Sequence, residues 1–403
     1  MTARATRAVL TSLLLLAELG CDGPAPGGAP AAGADPSRPT DPSTACDPLR
    51  PTYPPAVEVS FSFPEDGTGA PSRTCWNATT SPGGQVALAF FVSGSQVEDQ
   101  IELRLYTPAG VEQTAASSRI ARLGAFTTLD MPWFHASALG WHGIVHDGSP
   151  LYALAAWDGL GGRMTRLTGF ASTVDVTPDG HGGSVAITAD LESTGQASAL
   201  VWVSAAGEVV RTVTLDRDGT LAIVHPATRD VLVFASSYPD NVVARWFGAD
   251  GAPLTDWFDA RFQFQGQVLL TLLLDGRPAI FDGIQWVAAY RAGTTAVDAP
   301  PAWLAARAGM RIAALPGGRG YLALGGSDWF DASPAAELLT RDGESCGFLQ
   351  PPPGAAPSEG ARAPVTYWLG EDGTLIESAH LDGPLLAEGI HCAFRWWPGL
   401  LRR

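Results

Sequence analysis

Two short sequence pieces recur between residues 57 and 403, and their spacing constrains the fold more than any other feature of the chain. The first is a strand-like run that ends in a turn carrying Gly. It reads Ile101-Glu102-Leu103-Arg104-Leu105-Tyr106-Thr107-Pro108-Ala109-Gly110 in its first good copy. It recurs over Ala199–Gly207, Val242–Gly251, Trp286–Gly293, Glu337–Gly343 and Thr366–Gly373. Gly supplies the positive φ a tight hairpin needs, and the flanking residues are β-branched or aromatic, as strands prefer. The second piece is Gly-Gly followed by a small apolar strand, as in Gly83-Gly84-Gln85-Val86-Ala87-Leu88-Ala89. It recurs from Gly182-Gly183 and from Gly317-Gly318. From the second Gly to the hairpin Gly the interval is 26, 24 and 25 residues (84 to 110, 183 to 207, 318 to 343).

The hairpin glycines at 110, 207, 251, 293 and 343 are 97, 44, 42 and 50 residues apart. Halving the first gap predicts a further copy near Gly159, within Ala155-Ala156-Trp157-Asp158-Gly159. Four short strands in each period of 40–50 residues describe a β-propeller blade. The chain is therefore read as all-β, a β-propeller of about seven four-stranded blades over residues 57–403. The small-residue strand is expected at the crowded innermost position, and the strands carrying Trp202, Trp246 and Trp368 further out. The short last copy suggests that the first and last segments share a blade. The alternative is a tandem of β-sandwich modules, whose repeat would run nearer 100 residues.

The N-terminus reads as an export signal. Arg4 and Arg7 precede the apolar run Ala8–Ala17, which is too short to span a bilayer and suits a signal-peptide core. Leu19-Gly20-Cys21 follows. This stretch resembles the bacterial lipoprotein signal, although Glu18 stands where a Leu is usual. The resemblance implies cleavage after residue 20 and lipidation of Cys21. Residues 22–55 are rich in Pro, Ala, Gly and Asp and cannot bury enough surface to offset their ordering entropy. The expected organisation is a signal peptide at 1–20, a lipidated and disordered tether at 21–56, and the propeller at 57–403. No later run offers 18 uninterrupted apolar residues, so the membrane is reached through the lipid alone.

With Cys21 acylated, Cys46, Cys75, Cys346 and Cys392 remain, an even number in an exported chain, which points to two disulfides. Three connectivities are open. Local pairing, Cys46 with Cys75 and Cys346 with Cys392, closes the shortest loops and is preferred. The other arrangements tie the N-terminal part to the C-terminal part and would clasp the ring.

Composition narrows the chemistry. All 25 basic residues are Arg, so a Schiff-base lysine and a P-loop lysine are both excluded. A net charge of −16 opposes nucleic-acid binding and favours basic partners or divalent cations. There is no Gly-x-Ser-x-Gly elbow and no His-Glu-x-x-His. His142 and His146 would share a strand face but lie about 13 Å apart, too far for one zinc. Asp216-Arg217-Asp218-Gly219 and Thr177-Pro178-Asp179-Gly180 resemble calcium loops only faintly, because Asp-Gly is also a common hairpin turn. No catalytic, cofactor or metal residue is therefore assigned. One loop has binding character: Asp328, Trp329 and Asp331 set carboxylates beside an aromatic face that could stack on a sugar ring.

Together these features resemble the β-propeller lipoproteins of bacterial envelopes, at the level of architecture. The resemblance implies an exported, membrane-anchored, monomeric binding or scaffold protein without catalysis, facing the periplasm or the cell exterior. Its partner would be an envelope protein or a surface glycan. The alternative is an enzyme that binds or degrades extracellular polysaccharide.

Overall fold

A computed structural model describes residues 44–49, 51, 54–62, 72–81, 84–94, 97–113, 118–122, 134–136, 140–146, 152–158, 164–166, 172–189, 198–237, 241–263, 268–325, 336–349, 365–370, 372–380 and 390–401. All of the described residues belong to one compact unit, residues 43–403. The expected signal peptide and Cys21 lie outside the described residues.

The described strands form seven four-stranded antiparallel sheets. In chain order β1 (Val57–Ser62) comes first and belongs to the last sheet. The first complete sheet is β2 (Ser72–Thr80), β3 (Val86–Gly94), β4 (Val97–Tyr106) and β5 (Ser118–Arg122). The second is β6 (Phe134–Ala136), β7 (Gly140–His146), β8 (Tyr152–Asp158) and β9 (Met164–Arg166). The third is β10 (Ser172–Pro178), β11 (Ser184–Ala189), β12 (Ser198–Val203) and β13 (Val209–Thr214). The fourth is β14 (Gly219–Val224), β15 (Val231–Ser237), β16 (Asn241–Phe247) and β17 (Phe258–Asp259). The fifth is β18 (Leu269–Leu272), β19 (Pro278–Phe281), β20 (Trp286–Tyr290) and β21 (Val297–Asp298). The sixth is β22 (Arg311–Ala314), β23 (Gly320–Leu324), β24 (Ala336–Thr340) and β25 (Ser345–Phe348). The seventh holds β26 (Val365–Leu369), β27 (Leu375–His380) and β28 (Ile390–Trp397), and β1 completes it by pairing with β28 from Val57–Trp396 to Ser62–Ile390.

Each sheet packs on the next, and the seventh packs on the first, so the series closes on itself as a β-propeller. The first strands of neighbouring sheets, such as β10 with β14 and β18 with β22, approach one another and mark the inner side of the ring. The shared last sheet follows the expectation from the short C-terminal copy. The six hairpin glycines of the first repeat piece all adopt positive φ: Gly110, Gly207, Gly251, Gly293, Gly343 and Gly373.

Two positional expectations are corrected. The Gly-Gly strand is the second strand of its sheet, not the innermost. Its residues are small and apolar because neighbouring strands flank it on both edges and adjacent sheets cover both faces, the condition that gives unbroken apolar runs. Val86, Ala87 and Leu88, and likewise Val185, Ala186 and Ile187, are wholly buried. Trp202 and Trp246 do lie on third strands, but Trp368 lies on β26, a first strand. The Gly373 hairpin joins first and second strands, so Thr366–Gly373 is not a true copy of the first repeat piece, and the third strand of this sheet, β28, carries Trp396 and Trp397.

The core is distributed between sheets. Val185 and Ile187 of β11 and Trp202 of β12 pack on Ala222, Val231 and Val233 of the fourth sheet. Val86, Leu88 and Tyr106 of the first sheet pack on Ile376, Phe394 and Trp396 of the seventh. Each buried large side chain in such an interface contributes about 1.5–3 kcal/mol.

The expected tether is corrected at its C-terminal part. Thr44–Leu49 forms a 3-10 turn that docks on the sixth sheet. Leu49 enters the apolar cluster with Leu315, Leu322 and Leu338. The backbone oxygen of Pro48 accepts a hydrogen bond from Arg319 at 3.1 Å. Cys46 is buried and bonded to Cys346, with Cα atoms 5.4 Å apart. Local pairing of the cysteines is therefore overturned, because Cys46 sits beside β24 and β25 rather than beside β2.

Candidate functional site

The ring has an inner circle of polar side chains on its first strands, and each named here reaches to the next sheet. Asp175 lies in β10, within the β-branched run Thr173-Val174-Asp175-Val176-Thr177, where the ladder is irregular between Thr173 and Asp175. Its Oδ2 accepts the backbone N–H of Ala222 on β14 at 2.7 Å. Burial pushes this carboxyl up to about 6, against the lowering effect of hydrogen bonds from Ala222 and Val176. Thr271 of β18 donates to the Ile312 carbonyl of β22 at 2.9 Å. Arg311 of β22 donates to the Tyr367 carbonyl of β26 at 2.8 Å, and its guanidinium lies 4.6 Å above the Trp368 ring. Burial lowers the affinity of Arg311 for its proton, although guanidinium stays charged at any ordinary pH.

A second circle lies at the end of the sheets where first and second strands join. Asp179 in the β10–β11 turn accepts the N–H groups of His181 and Gly183 at 2.7 and 2.8 Å, and Arg229 of the fourth sheet at 2.8 Å. Asp372, at the equivalent turn of the seventh sheet, accepts Thr80 of the first sheet at 2.7 Å and Thr374 at 2.8 Å. Asp275, at that turn of the fifth sheet, pairs with Arg277, which also reaches Asp298 at 3.4 Å. Burial pushes the Asp275 carboxyl up, but the hydrogen bonds and charge of Arg277 bring it below the usual carboxylate range. These acids close their own turns and, in two of the three cases, clamp the neighbouring sheet.

A third polar group is enclosed where the turn after the short helix Ala302–Ala305 meets β24. Arg307 meets Glu337 of β24 in a two-pronged pair, Nε to Oε2 at 2.7 Å and Nη2 to Oε1 at 2.9 Å, with both side chains nearly buried. Burial pushes the Glu337 carboxyl up, yet hydrogen bonds from Arg307 and Ser345 hold it below its ordinary value. Glu377 behaves in the opposite way: burial raises it, and the more distant Arg395, at 3.7 Å, does not compensate.

The residues marked in the sequence fall as follows. Cys46 and Cys346 meet in a disulfide. Cys75 lies on β2 and Cys392 on β28. Cys21 and the loop residues Asp328, Trp329 and Asp331 lie outside the described residues. His142 pairs in register with His135 and Ala156 on β7, while His146 pairs with Tyr152. The faint calcium-loop acids have other tasks. Asp179 caps its turn, and Asp216 accepts the Trp257 indole at 2.7 Å, the main reason that its carboxyl is lowered. Among the described residues no three His, Cys, Asp or Glu side chains gather in a way that could hold a metal ion.

Sequence reasoning missed Asp175, Arg311 and the Arg307–Glu337 pair. The signal for Asp175 was present, since an acid within a β-branched strand must meet a donor. Arg307 and Glu337 are 30 residues apart and carry no local pattern. Chemically, the inner circle can hold a proton at Asp175 in mildly acidic conditions, up to about pH 6, and keep neighbouring sheets in register.

No family model matches the chain, and no curated protein matches it in sequence. Among solved structures it is similar to the β-propeller domain of the Trilobed protease from Pyrococcus furiosus. That match has 10% identity and a TM-score of 0.48, over 81% of this chain and 95% of that one. An oligogalacturonate lyase in complex with manganese also matches, with 10% identity and a TM-score of 0.48, over 87% of this chain and 98% of that one. The acylaminoacyl peptidase of Pyrococcus horikoshii matches with 10% identity and a TM-score of 0.48, over 77% of this chain and 49% of that one.

Proposed function

We propose that the chain is a lipid-anchored, extracytoplasmic binding or scaffold protein of the bacterial envelope, in which a closed propeller displays a rigid face to an envelope partner. The observation that carries this reading is the Cys46–Cys346 disulfide, which fastens the segment leading from Cys21 to the sixth sheet. Such bonds form and persist in exported proteins and are rare in reducing compartments. The signal-like residues 1–20 and Cys21 are consistent with the same address. The clamped turns at Asp179 and Asp372 support the second half of the reading, because a surface fixed before binding loses less entropy on association. A net charge of −16 favours a partner with a basic surface.

The test is partner capture in intact envelopes. Amine-reactive linkers are unsuitable because the chain has no Lys, so a photo-reactive amino acid is placed on an exposed turn, such as Val111 or Leu254. One reproducible protein adduct is the expected result. Recovery of glycan fragments would favour the polysaccharide reading, with Asp328, Trp329 and Asp331 as its first residues to substitute. Absence of any adduct from every turn position would contradict the scaffold reading.

A further inference from the structure

The seam between the first and seventh sheets holds two cysteines that the Cys46–Cys346 bond leaves over. On β3, Val86 and Leu88 face the seventh sheet, in one cluster with Ala78 of β2 and Ile376, Phe394 and Trp396 of the seventh sheet. Residues directly opposite in an antiparallel pair share a face, and faces alternate with period two. Ala78 is opposite Leu88, as this requires. The register then skips Trp76, so that Cys75 is opposite Phe90. Position 90 shares its face with 86 and 88, and the irregularity thereby returns position 75 to the face that looks at the seventh sheet.

The other side of the seam gives the same result. Phe394 and Trp396 of β28 belong to the shared cluster, and position 392 lies two residues further along the same face. Its partner on β1 is Phe61, which is buried in that cluster. The levels also agree. Trp396 lies beside Tyr106, with ring centroids 5.9 Å apart, and Tyr106 is opposite Val86. One step of two residues brings Phe394 to the level of Leu88 and Ala78. The next step brings position 392 to the level of position 90, and hence of Cys75. Cα atoms of β2 and β28 come within 8 Å of one another.

We propose that Cys75 and Cys392 form a second disulfide, which joins β2 to β28 across the seam where the first and last sheets meet. The inference rests on the export reading, because the bond needs an oxidant. The oxidant is a dithiol–disulfide oxidoreductase or glutathione disulfide. The two thiols lose two protons and two electrons, the Sγ–Sγ bond forms, and the oxidant's S–S bond breaks to give two thiols. With Cys46–Cys346 the two bonds interleave along the chain and fasten the ring's closure twice.

The experiment uses the full chain, recovered from exported expression in the presence of a thiol-alkylating reagent and digested with trypsin without reduction. The peptides Thr74–Arg104 and Ala363–Arg395 are expected as one linked species that separates on reduction. In a Cys75→Ser or Cys392→Ala variant one thiol becomes open to alkylation, and either variant serves if the other does not accumulate. Alkylated Cys75 and Cys392 beside an intact Cys46–Cys346 bond would overturn the inference and leave the export reading standing. Alkylation of all four cysteines would overturn both.

Discussion

Cys46 is bonded to Cys346 across 300 residues, and this bond holds the segment before the first strand against the sixth sheet. The ring is thus closed at two neighbouring places, by β1 completing the seventh sheet and by the disulfide one sheet away. A cross-link over so long a loop removes much freedom from the unfolded chain. The double substitution Cys46→Ser with Cys346→Ser is therefore expected to cost about 2–5 kcal/mol. Denaturant unfolding with and without reductant measures the loss. The wild type in reductant should match the double variant if no second bond is present and fall below it if Cys75–Cys392 exists.

The Arg307–Glu337 pair gives a prediction about charge inside the sheets. Removing one partner strands the other in a nearly buried place. Arg307→Met is expected to cost about 3–5 kcal/mol. Arg307→Met combined with Glu337→Leu should recover much of that loss, since no charge is then left unpaired. A double-mutant cycle by chemical denaturation checks the pair. A double variant no more stable than the single one would show that packing, not charge, dominates.

Asp175 makes stability depend on pH in the opposite sense to a paired carboxylate. Its value rises from 3.8 to about 6 in the fold, so the folded chain holds the proton more tightly than the unfolded one. Its contribution is fully present below about pH 4 and is lost as pH rises through 6. Asp175→Asn keeps an oxygen for the Ala222 N–H and cannot ionise. The variant should be more stable than wild type at pH 7 by about 1–3 kcal/mol and should lack this falling step between pH 4 and 6. Thermal unfolding across that range, compared for the two proteins, tests it.

Two glycines of like backbone separate conformational strain from crowding. Gly309 has φ +75 with nothing within 4 Å of an added Cβ, whereas at Gly343, φ +82, that atom would collide with the Trp303 ring at Cγ. Gly309→Ala should cost about 1 kcal/mol, the left-handed penalty alone. Gly343→Ala should cost at least about 1–3 kcal/mol more, because the Trp303 ring must move from its stack 4.7 Å from Tyr321. Equal losses would contradict the packing at that hairpin.

What could be read from the sequence was the repeat, because five sheets turn on a hairpin glycine after the third strand and carry a doubly covered second strand, while the expected copy at Gly159 lies outside the described residues. The positive φ at Gly110, Gly207 and Gly343 and the burial of Val185–Ile187 follow directly from that pattern. The rank of the strands within a sheet was less legible. An inner strand and a doubly flanked strand are both apolar, and only pairing order tells them apart. The place of Trp368 depended on which of its sheet's hairpins Gly373 serves, and the Cys46 pairing on where the chain returns after 300 residues. Asp175, Arg311 and Arg307 find partners on other strands or sheets, so their roles appear only once the ring is assembled.

The most direct measurement is the membrane attachment of the full chain and of Cys21→Ser, expressed with its own N-terminus in a bacterial envelope and fractionated. The account predicts that the wild type sediments with membranes and carries acyl mass on Cys21, while Cys21→Ser is recovered in the soluble extracytoplasmic fraction. A Cys21→Ser protein that remains in the membrane fraction, or a wild type without acyl mass, would contradict it.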